Sequence, residues 1–88
     1  MPKTKLSKLE LLVMESLWAH GRSSVRQILE RLQSTPSPAY TTIQTIIGRL
    51  ETKRAVKRVG KMGGALLYEA TLSRAQAQLR LIDIHFRP

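Results

Sequence analysis

Cysteine is absent from this chain of 88 residues, and the aromatic residues are limited to one tryptophan, two tyrosines and one phenylalanine. Without cysteine, no disulfide can hold the domain together, no thiolate can bind a metal and no thiol can act as a nucleophile. Acidic residues are also scarce, because six Asp and Glu stand against 15 Lys and Arg, giving a net charge of +9. A folded domain so basic is expected to bind a polyanion, nucleic acid first and an acidic membrane surface second.

Long apolar runs and catalytic motifs are lacking as well. No stretch approaches the ~18 apolar residues of a membrane span. The basic N-terminus is followed by an apolar run, but Glu10 and Glu15 interrupt it and no cleavage site follows, so we predict no signal peptide and a cytoplasmic protein. The HExxH, P-loop and G-x-S-x-G patterns are absent, and His20 and His85 lie far apart along the sequence. We therefore predict that the chain is not an enzyme and has neither a metal site nor a cofactor.

Two capping boxes begin the first two predicted helices, Ser7 with Glu10 and Ser24 with Gln27. The first helix extends to about Ala19, and apolar residues around much of its circumference predict a position at the centre of a bundle. The second helix has its apolar residues at i, i+3, i+4 and i+7, which is an amphipathic pattern. A very short extended segment is expected at residues 23–24.

A third helix is predicted from Pro38 to about Lys53, with Ser37 as its cap. Its inward face comprises Ala39, Tyr40, Ile43, Ile46, Ile47 and Leu50. Residues 55–59 and 66–70 are β-prone, and the glycine-rich segment 60–64 between them predicts a hairpin tip. Ser73 caps a last helix that extends to about Phe86. This order predicts a mainly α fold with a small β-hairpin, a winged helix-turn-helix (three-helix bundle plus wing) over residues 1–72 with a C-terminal helix over 73–88.

The face of the third helix opposite its apolar residues is polar and uncharged, which is unusual for a helix exposed to water. Threonine has a low helix propensity, but its hydroxyl and methyl groups can contact bases, Gln can pair with adenine, and Arg can reach guanine or phosphate. Glycine at position 48 would let another backbone approach closely. Any one of these threonines, taken alone, is better interpreted as a surface residue without a function. The face as a whole favours contact with bases in a DNA groove. The residues predicted to read a major groove are Thr41, Thr42, Gln44, Thr45 and Arg49.

Cations follow this helix, and Glu51 is the one acidic residue among them. The predicted phosphate contacts are Lys53, Arg54, Lys57, Arg58 and Lys61, together with Arg49. Such contacts position a protein on DNA but convey little sequence information. Lys61, placed at the hairpin tip, is expected to reach the minor groove or its flanking phosphates. Lys3, Lys5 and Lys8 form a second basic group that can lie along the DNA backbone.

Four segments of the sequence, in order and with the spacing of a wing, resemble the penicillinase-repressor family (BlaI, MecI and CopY proteins). They are Leu9-Glu10-x-x-Val13-Met14-x-x-Leu17-Trp18, Ser24-Val25-Arg26, Ala39-Tyr40-Thr41-Thr42-Ile43-x-Thr45 with Arg49-Leu50, and Val56-Lys57-Arg58. Tyr68 stands where that family has an aromatic residue in its second wing strand. The resemblance covers about residues 6–70.

The resemblance implies a homodimeric winged-helix repressor that binds a palindromic operator in double-stranded DNA and blocks transcription. By position, Thr41, Thr42, Gln44 and Thr45 match the family's operator-reading residues. The sequence departs from the family in having Arg54 where a glycine usually ends the recognition helix. A regulatory protease or receptor is implied as a partner by the resemblance only. The family has a helical dimerisation region at its C-terminus, and this chain ends at Pro88 with one helix of that region. It is therefore either naturally short or a fragment, and the lack of cysteine excludes copper sensing by thiolates.

The last helix has two apolar stripes, one formed by Ala75, Leu79, Ile82 and Phe86 and the other by Ala77, Leu81 and Ile84. A small domain can cover only one of them. We expect the second stripe to pack against another copy of the chain; the alternative is packing within the chain. The residues predicted for dimerisation are therefore Leu79, Ile82, Phe86, Leu81 and Ile84.

Two alternatives to a sequence-specific repressor remain open. One is a winged-helix module used for protein interaction or for non-specific nucleic-acid binding. The other is a basic amphipathic segment at an anionic membrane, which the capped helices and the hairpin disfavour because they indicate a globular core. Binding to specific and random duplexes across a salt series distinguishes a repressor from a packaging protein.

Overall fold

A computed structural model describes residues 6–32 and 37–77. In this part of the chain three helices precede two strands: α1 (Lys8–His20), α2 (Val25–Arg31), α3 (Tyr40–Thr52), β1 (Val56–Met62) and β2 (Ala65–Ala70). The strands pair as an antiparallel hairpin. A helical turn at residues 74–77 follows. The predicted three-helix bundle with a wing is confirmed.

The first two helices begin as their capping boxes predict. In α1 the Ser7 hydroxyl accepts from the Glu10 amide at 3.2 Å, and the Glu10 carboxylate accepts from the Ser7 amide at 2.8 Å. Ser24 and Gln27 form the same reciprocal pair at the start of α2. Gly21 ends α1 with a positive φ of 76°, and its amide donates to the Leu17 carbonyl. Local residues therefore satisfy part of the unpaired backbone groups at the starts of α1 and α2 and at the end of α1.

The start of α3 differs from the prediction. The helix begins at Tyr40 with Ala39 as its N-cap, two residues later than a start at Pro38, and no side chain caps it. Ala39 is extended, with ψ of 157°, so helical geometry cannot extend back through it. Ser37 and Pro38 are residues able to start a helix, but the extended backbone at Ala39 places the start later.

The end of α3 retains the left-handed turn in spite of lacking glycine. Arg54 has φ of 62°, its amide donates to the Glu51 carbonyl, and the Ala55 amide donates to the Leu50 carbonyl. These two bonds form a Schellman motif, which usually has glycine at the left-handed position. Leu50 and Ala55 are both buried, so the motif also brings the chain into the core.

The hairpin is longer and its tip narrower than predicted. β1 continues through residues 60–62, and the turn consists of Gly63 and Gly64, both with positive φ. A register shift occurs between Arg58, which pairs with Tyr68, and Gly60, which pairs with Leu67. One extra residue on β1 bulges out there, and such a bulge increases the local twist of a hairpin. The prediction of a five-residue tip was wrong because the glycine at position 60 marks this bulge rather than a turn.

The predicted extended segment before α2 adds a short bridge to the hairpin. Ser23 and Tyr68 exchange two backbone hydrogen bonds of 3.0 and 2.9 Å. Tyr68 is also buried in the core. The base of the hairpin is therefore fixed against the start of α2, which determines where the wing lies relative to α3.

The core lies between the three helices and the base of the hairpin. Buried apolar residues come from every element, and α1 packs against α2, α3 and β2, so its predicted central position is confirmed. The described helices include none long and apolar enough to cross a membrane. The buried apolar residues are Val13, Met14, Leu17, Val25, Ile28, Ile43, Ile46, Ile47, Leu50, Ala55, Val56, Tyr68, Leu72 and Ala77.

Two residues predicted for the inward face of α3 lie outside the core. Ala39 is exposed, and Tyr40 retains 40% of its surface accessible. A helical wheel does not apply to Ala39, because this residue precedes the helix. Tyr40 is the first helical residue and lies against Arg26 of α2, with the guanidinium 5.9 Å from the ring centroid. The inward face therefore starts at Ile43.

Candidate nucleic-acid interface

The polar face of α3 is exposed over its whole length. Ile43, Ile46, Ile47 and Leu50 are buried on the opposite face, so packing against α1 and α2 fixes which side of the helix is accessible. The seven exposed residues carry no carboxylate, and they include all five predicted groove readers. They are Thr41, Thr42, Gln44, Thr45, Gly48, Arg49 and Thr52.

Two of these threonines direct their hydroxyl protons into the helix. The Thr45 hydroxyl donates to the Thr41 carbonyl at 3.1 Å, and the Thr52 hydroxyl donates to the Gly48 carbonyl at 3.1 Å. A hydroxyl whose proton is engaged still has lone pairs that accept hydrogen bonds. In this arrangement Thr45 presents an acceptor and a methyl group, which suit an amino group of adenine or cytosine and a thymine methyl respectively.

Gly48 leaves open space at the middle of this face. Apart from its chain neighbours and the backbone of its own helix, a Cβ placed on Gly48 would have no heavy atom within 4 Å, so the packing of this domain does not require glycine there. A glycine inside a helix is destabilising by about 0.5–1 kcal/mol relative to alanine. Together with Thr45, Arg49, Thr52 and Lys53, it lines a shallow concavity in which the helix backbone is accessible to another molecule.

The structure divides the predicted phosphate-binding cations into two groups. Lys53 donates to the Glu10 carboxylate at 2.7 Å, and Arg58 pairs with Glu51 at 3.2 Å. Arg49, Arg54, Lys57 and Lys61 are exposed, and the ion pairs among the described residues do not include them. These four are the cations of the cluster most available to an external anion.

The Glu10–Lys53 pair joins the first turn of α1 to the end of α3. Glu10 is only 2% exposed. Burial by itself raises the pKa of Glu10, but the hydrogen bond and charge of Lys53, with the hydrogen bonds from Ser7, outweigh it and hold the pKa below its ordinary value of 4.5. Glu10 is thus ionised at neutral pH and fixes the position of Lys53, which lies one helical turn from Arg49.

The hairpin places its basic residues along β1 rather than at the turn. Lys61 pairs with Leu66, and Met62 separates it from the Gly63-Gly64 turn, so its predicted position at the tip was wrong by two residues. The reason is the extension of β1 beyond the bulge. Lys57 and Lys61 are nevertheless exposed, and they lie on the strand that follows α3 directly.

One contact near the start of α3 is absent from the sequence-based prediction. Arg26 of α2 lies over the ring of Tyr40, although Tyr40 was predicted to lie on the inward face of the third helix. The available signal for this contact was a basic residue at the second position of one helix and an aromatic residue at the first position of the next. They become informative only when the two helix starts are known to adjoin.

Several predicted residues lie outside the described part of the chain. They are Lys3 and Lys5 of the N-terminal basic group and the predicted dimerisation residues Leu79, Leu81, Ile82, Ile84 and Phe86. Of the two C-terminal stripes, Ala75 is exposed and Ala77 is buried with the core of its own chain. The contact of the last helix with another copy of the chain stays a prediction.

Three packed helices, a basic hairpin fixed beside the second helix, and an exposed polar face on the third define a winged-helix domain. The chain belongs to the penicillinase repressor family, whose model matches residues 6–84. This confirms the resemblance found in the sequence. Membership of a repressor family also confirms the prediction that the chain is not an enzyme.

Individual relatives agree with this assignment. The transcriptional regulator BlaI of two Mycobacterium tuberculosis strains, CDC 1551 / Oshkosh and ATCC 25618 / H37Rv, is 39% identical over 57 residues, covering 64% of this chain and 41% of the relative. The chain thus spans less than half the length of these curated relatives. The solution structure of the DNA binding domain of the repressor BlaI matches with a TM-score of 0.69 at 28% identity, over 86% of this chain and 93% of that chain.

Proposed function

We propose that this chain is a sequence-specific DNA-binding transcriptional regulator, acting as a repressor, whose α3 enters the major groove of its operator. The observation that carries the proposal is the exposed polar face of α3, which has no carboxylate and on which Thr41, Thr42, Gln44, Thr45 and Arg49 are all accessible. A major groove is wide enough to admit one α-helix, and the side opposite these residues is fixed to the core. The structural match to the DNA binding domain of the repressor BlaI supports the same role.

The second part of the proposal assigns phosphate contacts to the basic residues that flank α3. Arg49, Lys57 and Lys61 are exposed and outside the ion pairs of the described residues. Arg58 is exposed and pairs with the half-buried Glu51, and it can exchange this partner for a phosphate at a small energetic cost. Lys53 is a weaker candidate for direct contact, because its ammonium group is engaged by buried Glu10. Its proposed contribution is to hold the end of α3 while Arg49 binds.

We further propose that the chain acts as a homodimer on a palindromic operator. Two α3 helices would then enter major grooves about one helical turn apart, or a multiple of it. Because Ala77 is buried in its own chain while Ala75 is exposed, the stripe that shares the face of Ala75 is the better candidate for the dimer contact. In the sequence that stripe continues with Leu79, Ile82 and Phe86.

Sedimentation velocity of the chain at micromolar concentration tests the dimer. We expect a dimeric species that Leu79→Glu converts to monomer, because a buried carboxylate opposite an apolar partner is costly. Leu81→Glu is the matched control on the other stripe, and it should affect the stability of the domain more than its association. A strictly monomeric unaltered chain would contradict the dimer proposal.

Sequence-specific binding is tested by measuring affinity for two duplexes over a salt series, one selected from a random pool and one a shuffled version of it. A repressor should prefer the selected duplex by ~10³-fold or more. Its log affinity should also fall linearly with log salt concentration, with a slope of about −0.9 per neutralised phosphate. A non-specific packaging protein would show the slope without the preference.

Two sets of substitutions separate base reading from phosphate binding. Replacing Thr42, Gln44 and Thr45 together by Ala should abolish the preference and leave the salt slope largely unchanged, because these side chains are uncharged. Replacing Lys57 and Arg58 by Gln should make the slope shallower by about 1.8, at 0.9 for each contact, and leave most of the preference. If the alanine variant retained the full preference, α3 would not be the reading element.

A further inference from the structure

Arg26 and Tyr40 meet where the start of α2 adjoins the start of α3. The Arg26 guanidinium carbon lies 5.9 Å from the centroid of the Tyr40 ring, and both side chains are exposed. A guanidinium at this distance is attracted to the negative face of an aromatic ring. Arginine is otherwise a long and flexible side chain, so the ring restricts where its charged end lies.

The pair forms part of a cleft of about 310 Å³ between α2, the first turns of α3 and the turn of the hairpin. Ser24 of the α2 cap, Gln44 of α3 and Gly64 of the hairpin turn are among the residues that line the cleft. Among the residues that the structure describes, no carboxylate lines this cleft. An anion that enters this cleft therefore meets the Arg26 cation without a competing negative charge.

Arg26 also differs from the arginines that the structure holds in ion pairs. Among the described residues, four cations pair with glutamates: Arg22, Lys53, Arg58 and Arg74. Arg26 contacts an aromatic ring instead, which orients a guanidinium without neutralising its charge. Its donors remain available for an external acceptor.

We propose that Arg26 binds a phosphate of the DNA backbone and that Tyr40 orients it for this contact. The guanidinium fork matches the geometry of phosphate oxygens and can bind two of them at once. Gln44 lies one helical turn beyond Tyr40 and lines the same cleft. A phosphate held by Arg26 fixes the N-terminal half of α3 relative to the DNA, at the position where Gln44 meets a base edge. This inference rests on the proposed DNA-binding function.

The test uses the full chain and the same selected and shuffled duplexes over a salt series. Arg26→Gln should weaken binding to both duplexes by about tenfold or more, since it removes a hydrogen-bonded charge contact. It should also make the slope of log affinity against log salt shallower by about 0.9. Arg26→Lys should retain the slope, because it retains the charge, but bind more weakly because lysine lacks the fork.

The matched control for net charge is Arg74→Gln. Arg74 pairs with Glu15 and lies over the ring of Trp18, so it combines an aromatic contact with a carboxylate partner. This substitution lowers the net charge by the same amount as Arg26→Gln. It should leave both affinity and slope within about twofold and about 0.3 of the unaltered chain, since its cation is already neutralised locally.

Substitutions of Tyr40 test its orienting role. Tyr40→Phe retains the ring and should bind within about twofold of the unaltered chain. Tyr40→Ala should lose severalfold in affinity, and combining it with Arg26→Gln should cause little further loss, because the two residues act as one unit. Circular dichroism on each variant confirms that the helices are intact, which is expected since both side chains are exposed.

The outcomes separate this inference from the proposed function. An unaltered chain without preference for the selected duplex would contradict sequence-specific regulation, yet the salt slope on either duplex would still test Arg26. A chain that shows the preference, while Arg26→Gln binds with the same affinity and slope as the Arg74→Gln control, would overturn the phosphate contact alone. Equal effects of Tyr40→Phe and Tyr40→Ala would overturn the role of the ring.

Discussion

At the scale of single residues, two side chains whose contact with each other was not predicted determine how α3 is held. Glu10 was predicted only as the third residue of a capping box, and Lys53 only as a phosphate contact. The structure joins them at 2.7 Å in a place where Glu10 is almost fully buried. Removing one partner of such a pair is destabilising, because the other charge is left partly buried without its partner.

Glu10→Gln should therefore lower the free energy of unfolding by about 1–3 kcal/mol at pH 7. Gln can still complete the capping box, so the loss reports on the charge. Glu15→Gln is the matched control: its pair with Arg74 is exposed, and we expect a change below about 0.5 kcal/mol. Urea denaturation measures both variants, and equal effects would contradict a special role for Glu10.

The same carboxylate predicts a pH dependence. The pKa of Glu10 is lower in the folded than in the unfolded chain, so its ionised form stabilises the fold above about pH 4.5. That contribution is lost as the pH falls below 4.5 through the lowered folded pKa. The difference in unfolding free energy between the unaltered chain and Glu10→Gln should thus shrink on acidification. A constant difference between pH 7 and pH 3 would contradict this assignment.

Arg54 is exposed, but its backbone has a positive φ. It occupies the left-handed position of the Schellman motif, where a residue with a Cβ is strained. Arg54→Gly should raise the free energy of unfolding by about 0.5–1 kcal/mol, the greater freedom of glycine in the unfolded chain offsetting part of the gain. Thermal denaturation checks it, and a loss of stability would indicate that the arginine side chain contributes contacts beyond its backbone geometry.

At the scale of elements, helix α3 combines a conventional inner face with an outer face that has low helix propensity. The apolar spacing predicted which side is buried from Ile43 onwards, because the 3.6-residue period depends only on the sequence. The start of the helix and the position of Tyr40 could not be predicted this way. They depend on how the chain enters α3 and on Arg26, which belongs to another helix.

Gly48→Ala should separate stability from binding in this element. No other part of the domain lies within 4 Å of a Cβ at this position, so the substitution should raise the free energy of unfolding by about 0.5–1 kcal/mol. If DNA approaches the helix backbone there, affinity for a selected duplex should fall at the same time. Urea denaturation and a binding titration on the same variant measure the two quantities. Unchanged affinity would show that the backbone at Gly48 is not in close contact with DNA.

The hairpin was also predicted only in part from the sequence. Its existence and its glycine turn were predicted from β-prone segments around glycines. The bulge between Arg58 and Gly60 was not predicted, because a glycine between two β-prone segments is compatible with a turn or with a bulge. Only the pairing with β2 decides between the two. The consequence is functional, since the extra length moves Lys61 away from the turn and along the strand.

At the scale of the whole molecule, the net charge is +9, and ion pairs neutralise some of the cations but not others. Within the described residues, four glutamates each pair with one cation. The exposed face of α3 carries none of these glutamates. The exposed threonines and Gln44 of α3 are thus bordered by cations that attract a polyanion. Composition predicted the class of partner, but only the fold shows which cations remain available.

The exposed face of α3 as the base-reading surface is the central claim, and intermolecular NOEs in a complex with a selected duplex test it most directly. With threonine methyl groups labelled in the chain, we expect NOEs from Thr42 and Thr45 to base protons or thymine methyl groups in the major groove. Contacts confined to the outer surface of α1, with none from these threonines to any base, would contradict the account.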